Sequence, residues 1–435
     1  MIHFLKLSIP IILSSTIHYL MPITDLLMIA HLGMIPVSAV SISIDLALIA
    51  SVFPAGIAYG LQPFIQKLNH QTIYENTKWF YNSLCINVFG SIIFCGFLLY
   101  MIHWLPYFKQ DPEAVSMVPY YMPWLAFSIL PSMVYNTFCR YLEGLTYTKP
   151  IGIATMIGLV SNVILNYLLI YINIGNFTNG LIGAGLATLC SKSIMVAVLT
   201  PYVWKRLDTK VKDRLMRSYF DGQYIKKLLI LGLPIGIQLL LEFLFFSITN
   251  LMIGSLGALY KGANAILDSI ISIPIGISWG FSVIASTLVK RGSFTKHKAK
   301  SIWVYYVTTG VVILVLAFFI VNYSFFIFTV WYKGRAIDYR MICSSIPLAV
   351  LFIFVDGFYT ISLGLLRGLK DTFFPFLIAT ISNWLIGIPL CYLLIKIINC
   401  GIPSIWLSKI IVFLISGTIL FVRLLKKYNK KNMYF

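Results

Sequence analysis

The sequence predicts an all-α membrane protein with twelve transmembrane helices in two six-helix bundles related by a pseudo-two-fold axis. The chain of 435 residues is 59% hydrophobic and only 11% charged, and a soluble domain of this size could not cover so much apolar surface. Apolar runs of about 20 residues, long enough to cross the hydrocarbon layer, recur from one end to the other. The second half of the chain also repeats the pattern of the first, which predicts two equivalent bundles.

Each predicted span is an apolar run bounded by polar residues, Gly or Pro. The spans are 5–32, 37–66, 79–105, 114–142, 150–172 and 181–204 in the first half, and 225–256, 262–289, 301–331, 336–366, 373–398 and 402–423 in the second. The first run is longer than a signal-peptide core and lacks a small-residue cleavage pattern, so we interpret it as a retained helix. A long polar segment divides the chain into an N-terminal bundle over 1–204, a cytoplasmic linker over 205–224 and a C-terminal bundle over 225–435.

The basic residues are distributed unequally between the two sides of the membrane. Of 33 Lys and Arg residues, 25 fall on the side of the N-terminus and six on the other side, while Lys192 and Lys409 lie within spans. Cytoplasmic loops of membrane proteins carry the excess of positive charge, so both termini are predicted to be cytoplasmic. The formal net charge of +19 therefore indicates topology and contact with anionic lipids rather than nucleic-acid binding.

The two halves match at one fixed offset. Adding 224 to each number in 8–33 gives 232–257 without a gap. The residues that then match identical ones are Pro10, Ile11, Leu20, Leu27, Met28, Ile29, Leu32 and Gly33, and the same offset carries Leu142, Gly144, Leu145 and Thr148 onto Leu366, Gly368, Leu369 and Thr372. With an even number of spans per half, the repeats enter the membrane in the same sense. Parallel repeats of this kind are typical of secondary transporters, whose sites lie at the repeat interface near the midplane.

The first candidate site is a polar stripe in the apolar run 231–257. Gln238, Glu242 and Thr249 fall on one narrow helical face, and no cation is near Glu242 in the sequence. A carboxylate in a membrane-long helix is costly, so it usually faces a cavity, a partner or an ion path. A structural hydrogen bond between helices is the alternative.

The repeat predicts a second stripe on the first helix. The offset pairs Gln238 with Ser14, Glu242 with His18 and Thr249 with Asp25. Two symmetry-related helices would then each present one polar face with one carboxylate, as a central aqueous cavity requires. His18 could titrate in the physiological range, although a lone intramembrane His is more often a packing residue.

Two further spans carry polar residues at helical spacing. Asp356 has Tyr359 and Thr360 one turn on and on the same face of the tenth span, while Asn162 and Asn166 stand four residues apart in the fifth. Buried carboxylates can take up and release protons near neutral pH. Together with hydroxyl and amide oxygens they can instead bind a small hard cation such as sodium. The residues by themselves leave both uses open.

Four charged residues within spans admit more than one interpretation. Asp45 and Asp268 lie at near-equivalent depths and belong either to the cavity or to polar contacts with a neighbouring helix. Lys192 and Lys409 each follow a serine in the sixth span of their half. The lysines neutralise carboxylates, contact an anionic substrate or extend along the span towards the membrane surface.

The sequence contains no pattern of a cofactor enzyme. The seven cysteines form no CxxC and no Cys/His cluster, which argues against a metal site and against a disulfide framework. There is no GxxxxGK[ST] phosphate loop, no HExxH and no GxSxG. We therefore predict a protein that is not an enzyme and needs no cofactor.

Several segments carry a family resemblance by their order and spacing along the whole chain. They are Pro10 and Thr24-Asp25 followed by His31-Leu32-Gly33, Gly232-Leu233-Pro234 followed by Glu242, and the paired segments 142–150 and 366–372. These segments resemble the multidrug and toxic compound extrusion (MATE) family of the MOP flippase superfamily, and within it the bacterial NorM-like branch.

The resemblance implies an antiporter that exports organic cations in exchange for H+ or Na+ by alternating access. It places the coupling carboxylates at Glu242, Asp356 and Asp25. The residues expected to line the substrate cavity are Asn162, Asn166, His18, Gln238, Thr249, Tyr359 and Thr360, with a possible Na+ site at Glu242 and Asp356. We expect a monomer in the bacterial inner membrane whose partners are small cationic molecules and membrane lipids, without nucleic acid.

Two features depart from the family pattern. Phe352 stands where some NorM-like members have Tyr, and Lys192 and Lys409 are unusual in a cavity meant for cations. The lysines favour a flippase of the same superfamily that moves a lipid-linked anionic saccharide, whereas the three carboxylates and the absence of two extra helices speak against it. An intramembrane enzyme would need a nucleophile and base on facing helices, and the sequence offers no recognisable pair. A channel suits a two-fold repeat less well than alternating access does.

Overall fold

The structure is a computed structural model that describes residues 2–66, 72–108, 112–172, 180–208, 219–254, 256, 258–290, 299–331 and 344–432. These ranges consist of helices and short turns, without a β-strand among them. The predicted all-α fold class is therefore confirmed. Parts of the predicted linker and of the tenth span, at 209–218 and 336–343, lie outside the described residues.

The helices of the first half are α1 (Ile2–Ile29), α2 (Met34–Tyr59), α3 (Thr72–Met101), α4 (Pro112–Phe127), α5 (Ile129–Gly144), α6 (Lys149–Asn166) and α7 (Gly180–Trp204). Those of the second half are α8 (Gly222–Gly254), α9 (Ala258–Lys290), α10 (Ala299–Trp331), α11 (Ile346–Gly368), α12 (Phe373–Thr380), α13 (Ile388–Lys396) and α14 (Pro403–Asn432). A π-helical turn over Tyr167–Tyr171 continues α6, and another over Ile381–Gly387 joins α12 to α13.

Within the described ranges, eleven helices are long and apolar enough to cross a membrane. The predicted span 114–142 is the exception, because it is divided into α4 and α5, each of 16 residues. The division at Ser128 is local. Ser128 N–H donates to Trp124 C=O over 3.0 Å, and Ser132 N–H donates to Ser128 C=O over 3.1 Å. Helical hydrogen bonding therefore continues from α4 into α5, and the two helices together cover the predicted span.

The sequence repeat is visible in the backbone where α5 and α11 end. Thr146 and Lys370, which are 224 residues apart, both adopt a left-handed conformation with φ of 59°. In each half, the residue that follows donates its N–H to the carbonyl five residues earlier. Tyr147 donates to Leu142 over 2.9 Å, and Asp371 donates to Leu366 over 3.0 Å. This is the hydrogen bond of a Schellman cap. The same unusual turn therefore recurs at equivalent positions in both halves.

The chain packs as two compact units, Ile9–Ile237 and Gln238–Phe435 together with Met1–Ser8. The boundary lies within α8, at Ile237 and Gln238, rather than in the polar segment that precedes this helix. The domain limits at 204 and 225 stay a prediction.

The described ends of the linker attach to α3 within the first unit. Asp208 N–H donates to Thr77 Oγ1 over 3.0 Å, and Asp221 N–H donates to Asn82 Oδ1 over 3.0 Å. Asn82 Nδ2 in turn donates to the carbonyl of Tyr219 over 2.8 Å. Side chains of α3 thus satisfy backbone groups on both sides of the linker.

Four glycines let α2 and the first part of α8 approach closely within the same unit. A Cβ atom on Gly56 would lie 2.3 Å from Gly236 Cα, and one on Gly60 would lie 3.0 Å from Gly232 Cα. On each helix the two glycines are four residues apart, so they share one face. Small residues at this spacing are the usual means by which membrane helices bring their backbones together.

We predict that Gly56→Ala lowers the thermal stability of the protein, because the new methyl group would overlap the backbone of α8. The expected loss is about 1–3 kcal/mol, as for overpacking elsewhere. Thermal denaturation of the purified protein in detergent, followed by size-exclusion chromatography, measures it. Gly96→Ala on α3 is the matched control, because a Cβ there meets no atom of the described residues within 4 Å. Equal melting temperatures for the two variants would contradict the close contact.

Candidate functional site

Asp25 of α1 is held by four neutral hydrogen-bond donors in the first unit. Its Oδ1 accepts from Asn166 Nδ2 at 2.6 Å and from Asn162 Nδ2 at 3.1 Å. Its Oδ2 accepts from Thr188 Oγ1 at 2.7 Å and from Tyr121 OH at 3.5 Å. The carboxylate is 2% exposed. Four helices, α1, α4, α6 and α7, therefore meet at one buried carboxylate.

The local helix structure explains how α6 supplies two of these donors. Asn162 and Asn166 are four residues apart, which places both amides on one face. Asn166 is the last residue of α6, directly before the π-helical turn. Its Oδ1 atom is buried and has no hydrogen-bond partner in the described part of the chain. Turns of this kind are frequent at functional sites.

Lys192 lies one turn after Thr188 on α7 and interacts electrostatically with Asp25. Its Nζ donates to Ser128 Oγ over 3.3 Å, at the junction of α4 and α5. Of the interpretations available from the sequence, this placement favours neutralisation of a carboxylate. The lysine is a positive charge beside a carboxylate whose direct hydrogen-bond donors are all neutral.

The predicted stripe on α1 is divided between two places. Asp25 lies in the arrangement above, whereas Ser14 belongs to a hydroxyl cluster with Tyr135 and Thr155. The Thr155 Oγ1 atom lies 2.9 Å from Ser14 Oγ and 2.6 Å from Tyr135 OH. The side chain of His18 lies outside the described residues.

In the second unit, Glu242 and Gln238 of α8 meet Tyr359 of α11. Gln238 Nε2 donates to Glu242 Oε1 over 3.1 Å and to Tyr359 OH over 3.2 Å. The Tyr359 hydroxyl also donates to Glu242 Oε1. All three side chains are buried, so one carboxylate oxygen is shared by an amide and a phenol. The structure thus brings Tyr359, predicted on the tenth span, to Gln238 and Glu242, which the sequence predicted together on one face of the seventh span.

Asp356 lies near this group, one turn before Tyr359 and Thr360 on α11. Its charge interacts with that of Glu242, and its Oδ1 accepts a long hydrogen bond of 3.5 Å from Thr360 Oγ1. Its Oδ2 is buried without a hydrogen-bond partner among the described residues. The second unit therefore holds two interacting carboxylates, one well bonded and one poorly bonded.

Thr249 does not share these contacts. Its hydroxyl donates to the carbonyl of Phe246 on its own helix, over 2.9 Å. Its polar group is therefore satisfied locally.

Aromatic residues pack around Tyr359 in the second unit. Phe352, the departure noted in the sequence, packs against Trp406 at 5.8 Å and Phe413 at 5.3 Å between ring centroids. Phe413 also contacts the ring of Tyr359 at 4.8 Å. Phe352 is thus part of an apolar wall next to the carboxylates.

Two of the four donors to Asp25, Thr188 and Tyr121, were not predicted from the sequence. Thr188 offered a signal, because it lies one helical turn before the conspicuous Lys192. Tyr121 offered none, since the chain has 26 tyrosines and nothing local distinguishes this one. No group of three or more His, Cys, Asp or Glu that could hold a metal ion occurs among the described residues.

Comparison with known proteins assigns the chain to a family. The MatE family model matches residues 10–168 and again residues 234–393, together well over half of the chain. The chain belongs to the MatE family. The two matches begin 224 residues apart, the same offset as the repeat in the sequence.

The similarity to relatives and to solved structures covers nearly all of this MatE chain. It is 24% identical over 433 residues to a probable multidrug resistance protein NorM of Agrobacterium fabrum, covering 96% of this chain and 92% of the relative. It is 25% identical over 400 residues to the multidrug resistance protein MdtK of Yersinia pseudotuberculosis, covering 90% and 86%. Its fold matches the crystal structure of the eukaryotic MATE transporter AtDTX14 with a TM-score of 0.86, at 18% identity and 98% coverage of both chains. The protein is a transporter of the MATE type, not an enzyme.

We predict that Thr188→Val destabilises this MatE protein, because it removes the 2.7 Å hydroxyl donor to Asp25 while keeping the shape of the side chain. Loss of a hydrogen bond to a charged group typically costs about 1.5–3 kcal/mol. Thermal unfolding of the purified protein measures the change. The matched control is Thr200→Val on the same helix, where the hydroxyl is exposed and donates to Val196 C=O. A loss in the control as large as in Thr188→Val would contradict a specific role of the Asp25 contact.

Proposed function

We propose that this MatE chain is a secondary multidrug antiporter that exports lipophilic or organic cations in exchange for H+ or Na+ by alternating access. The observation that carries the proposal is that each compact unit contains its own buried carboxylate group. Asp25 serves the first unit, and Glu242 with Asp356 serves the second. Buried carboxylates are the natural binding groups for a proton, a sodium ion or a cationic drug in a membrane.

Antiport follows from competition for the same negative charge. A conformer that is stabilised by the coupling ion must release it before it accepts a drug cation, so the two ligands move in opposite directions. Relatives described as multidrug resistance proteins support small drug molecules as the substrate class, and the buried carboxylates favour cations among them.

The geometry around Asp25 supports a coupling role in the first unit. Four neutral donors stabilise the ionised carboxylate, and a proton bound to it would compete with one of them. Because these donors come from α4, α6 and α7, a change of charge at Asp25 would alter contacts among four helices. Asn162 and Asn166 then act by orienting the carboxylate.

The second unit offers more oxygen ligands. Glu242, Asp356, Tyr359 and Thr360 provide carboxylate and hydroxyl oxygens of the kind that Na+ prefers. The unbonded Oδ2 of Asp356 is the atom most available to a proton or a metal ion. Gln238 acts by holding Glu242, and Thr249 is proposed to line the cavity from the same helix.

A flippase for a lipid-linked anionic saccharide is the second candidate. It rests on Lys192, a positive charge in the first unit, although the position of this lysine beside Asp25 fits neutralisation of that carboxylate better than contact with an anionic substrate. Lys409 does not add to it, because its side chain is 1% exposed and its Nζ pairs with Asp268 Oδ1 at 3.3 Å. We retain a monomer in the bacterial inner membrane, with both termini cytoplasmic and lipids as partners, as part of the first proposal.

The decisive experiment is efflux of ethidium from cells expressing the wild type, Glu242→Gln, Asp356→Asn or Asp25→Asn, under separately imposed proton and sodium gradients. We expect the wild type to export ethidium under one gradient and each variant to lose most of that activity, because a coupling charge is removed. The gradient that drives export identifies the coupling ion.

Glu113→Gln, which neutralises an exposed carboxylate in the first turn of α4, is the control and should export normally. Absence of export under both gradients, with the wild-type protein present in the membrane, would contradict the multidrug proposal. The anionic-lipid flippase would then take first place.

A further inference from the structure

Lys409 of α14 has the environment of a bound cation. Its side chain is 1% exposed, and its Nζ lies 3.3 Å from Asp268 Oδ1. The same Nζ lies 4.5 Å from the ring centroid of Trp406 and 4.9 Å from that of Phe246. A carboxylate together with two aromatic faces is the arrangement by which proteins bind ammonium groups.

The carboxylate of this group is held independently of the lysine. Asp268 Oδ2 accepts from Asn264 Nδ2 at 2.9 Å and from Asn250 Nδ2 at 3.1 Å. The two amides also bond to each other over 3.0 Å. Asp268 is therefore oriented by Asn250 of α8 and Asn264 of α9. Its other oxygen, Oδ1, faces the cation, and the cation is not needed to hold the carboxylate in this orientation.

Two buried polar atoms in the group have no hydrogen-bond partner among the described residues. They are Asn264 Oδ1, beside the carboxylate, and Trp406 Nε1, on one aromatic wall. The Asp268 side chain is 29% exposed, whereas Lys409 is enclosed. The carboxylate can thus be reached from outside the group while the ammonium fills its interior.

The same aromatic wall borders the carboxylates of the proposed transport site. The ring of Phe246, which faces Lys409, lies 6.4 Å from that of Phe352 and 5.9 Å from that of Phe413, measured between centroids. The ring of Phe413 in turn contacts that of Tyr359. A lipophilic cation next to Glu242 and a cation next to Asp268 would therefore lie against one continuous aromatic surface.

We propose that Asp268, Asn264, Phe246 and Trp406 form a second binding site for monovalent organic cations in the C-terminal unit, and that the Lys409 ammonium occupies it as a tethered competitor. The proposal rests on the cation selectivity of the proposed function but concerns a different carboxylate. A tethered group has a high effective concentration. Free cations therefore gain access only when Lys409 leaves or is removed.

The competitor is removed by Lys409→Met, which retains most of the apolar length of the side chain and removes its charge. Asp268 keeps both amide donors and its 29% exposed side chain, so this variant leaves no fully enclosed, unbonded charge. We expect the purified full-length variant to bind ethidium at least about tenfold more tightly than the wild type, as measured by ethidium fluorescence.

Asp268→Asn added to Lys409→Met should abolish that gain, because the attracting charge is lost. Two controls accompany it. Lys409→Arg keeps a cation in place and should bind as the wild type does. Lys396→Met removes one exposed charge at the end of α13 and should leave binding unchanged. An unchanged affinity in Lys409→Met, or a gain that persists after Asp268→Asn, would overturn the second site.

Chemical complementation tests the site without a drug. In Lys409→Ala the missing atoms correspond to n-propylammonium, so this ion should raise the melting temperature of that variant in a saturable manner. It should not do so for Lys409→Ala combined with Asp268→Asn, and n-propanol should have no such effect. A shift that is equal for n-propanol and n-propylammonium would contradict a cation site.

Both measurements report binding or stability rather than transport. If the wild type does not export ethidium but n-propylammonium stabilises Lys409→Ala, the antiporter proposal is rejected and the second site is kept. Normal export with a negative complementation result would reject the site alone.

Discussion

A carboxylate buried in a membrane helix must be compensated by donors or cations, because its transfer from water is otherwise too costly. The described residues show three ways of meeting this requirement. Asp25 is held by neutral amides and hydroxyls, Glu242 by a tyrosine and a glutamine, and Asp268 by two amides and the ammonium of Lys409. Each solution recruits side chains from several helices, so the polar contacts also determine which helices pack together.

The three arrangements differ in how readily their charge can change. A carboxylate with neutral donors carries a net negative charge, so it can take up one cation and become neutral. A carboxylate paired with a lysine is already neutral and accepts another cation only if the lysine gives way. In the proposed cycle, Glu242 and Asp356 therefore exchange ions as net negative charges. Asp25 exchanges them with the charge of Lys192 nearby but without a direct ion pair to it among the described residues, and Asp268 is blocked until its internal competitor moves.

The two halves keep the same backbone turn at equivalent positions, but their buried polar side chains differ. Thr146 and Lys370 adopt the same left-handed turn at equivalent positions, because both halves must reverse the chain there. By contrast, Asp25 corresponds to Thr249, whose hydroxyl donates to the carbonyl of Phe246 on its own helix. Backbone geometry constrains both copies equally, whereas buried charges need partners from other helices, and these partners have diverged.

The sequence by itself determined the helical membrane fold, nearly all of the spans and the repeat, because these depend on local hydrophobicity and on spacing along one chain. Its motifs also carry the resemblance to the MATE family. It also identified Asp25, Glu242 and Asp356, since a charge within an apolar run is conspicuous without knowledge of its surroundings. Only the tertiary structure decided their partners. Thr188 and Tyr121 reach Asp25 from helices distant in sequence, and Lys409 meets Asp268 across 141 positions, so no local pattern could have paired them.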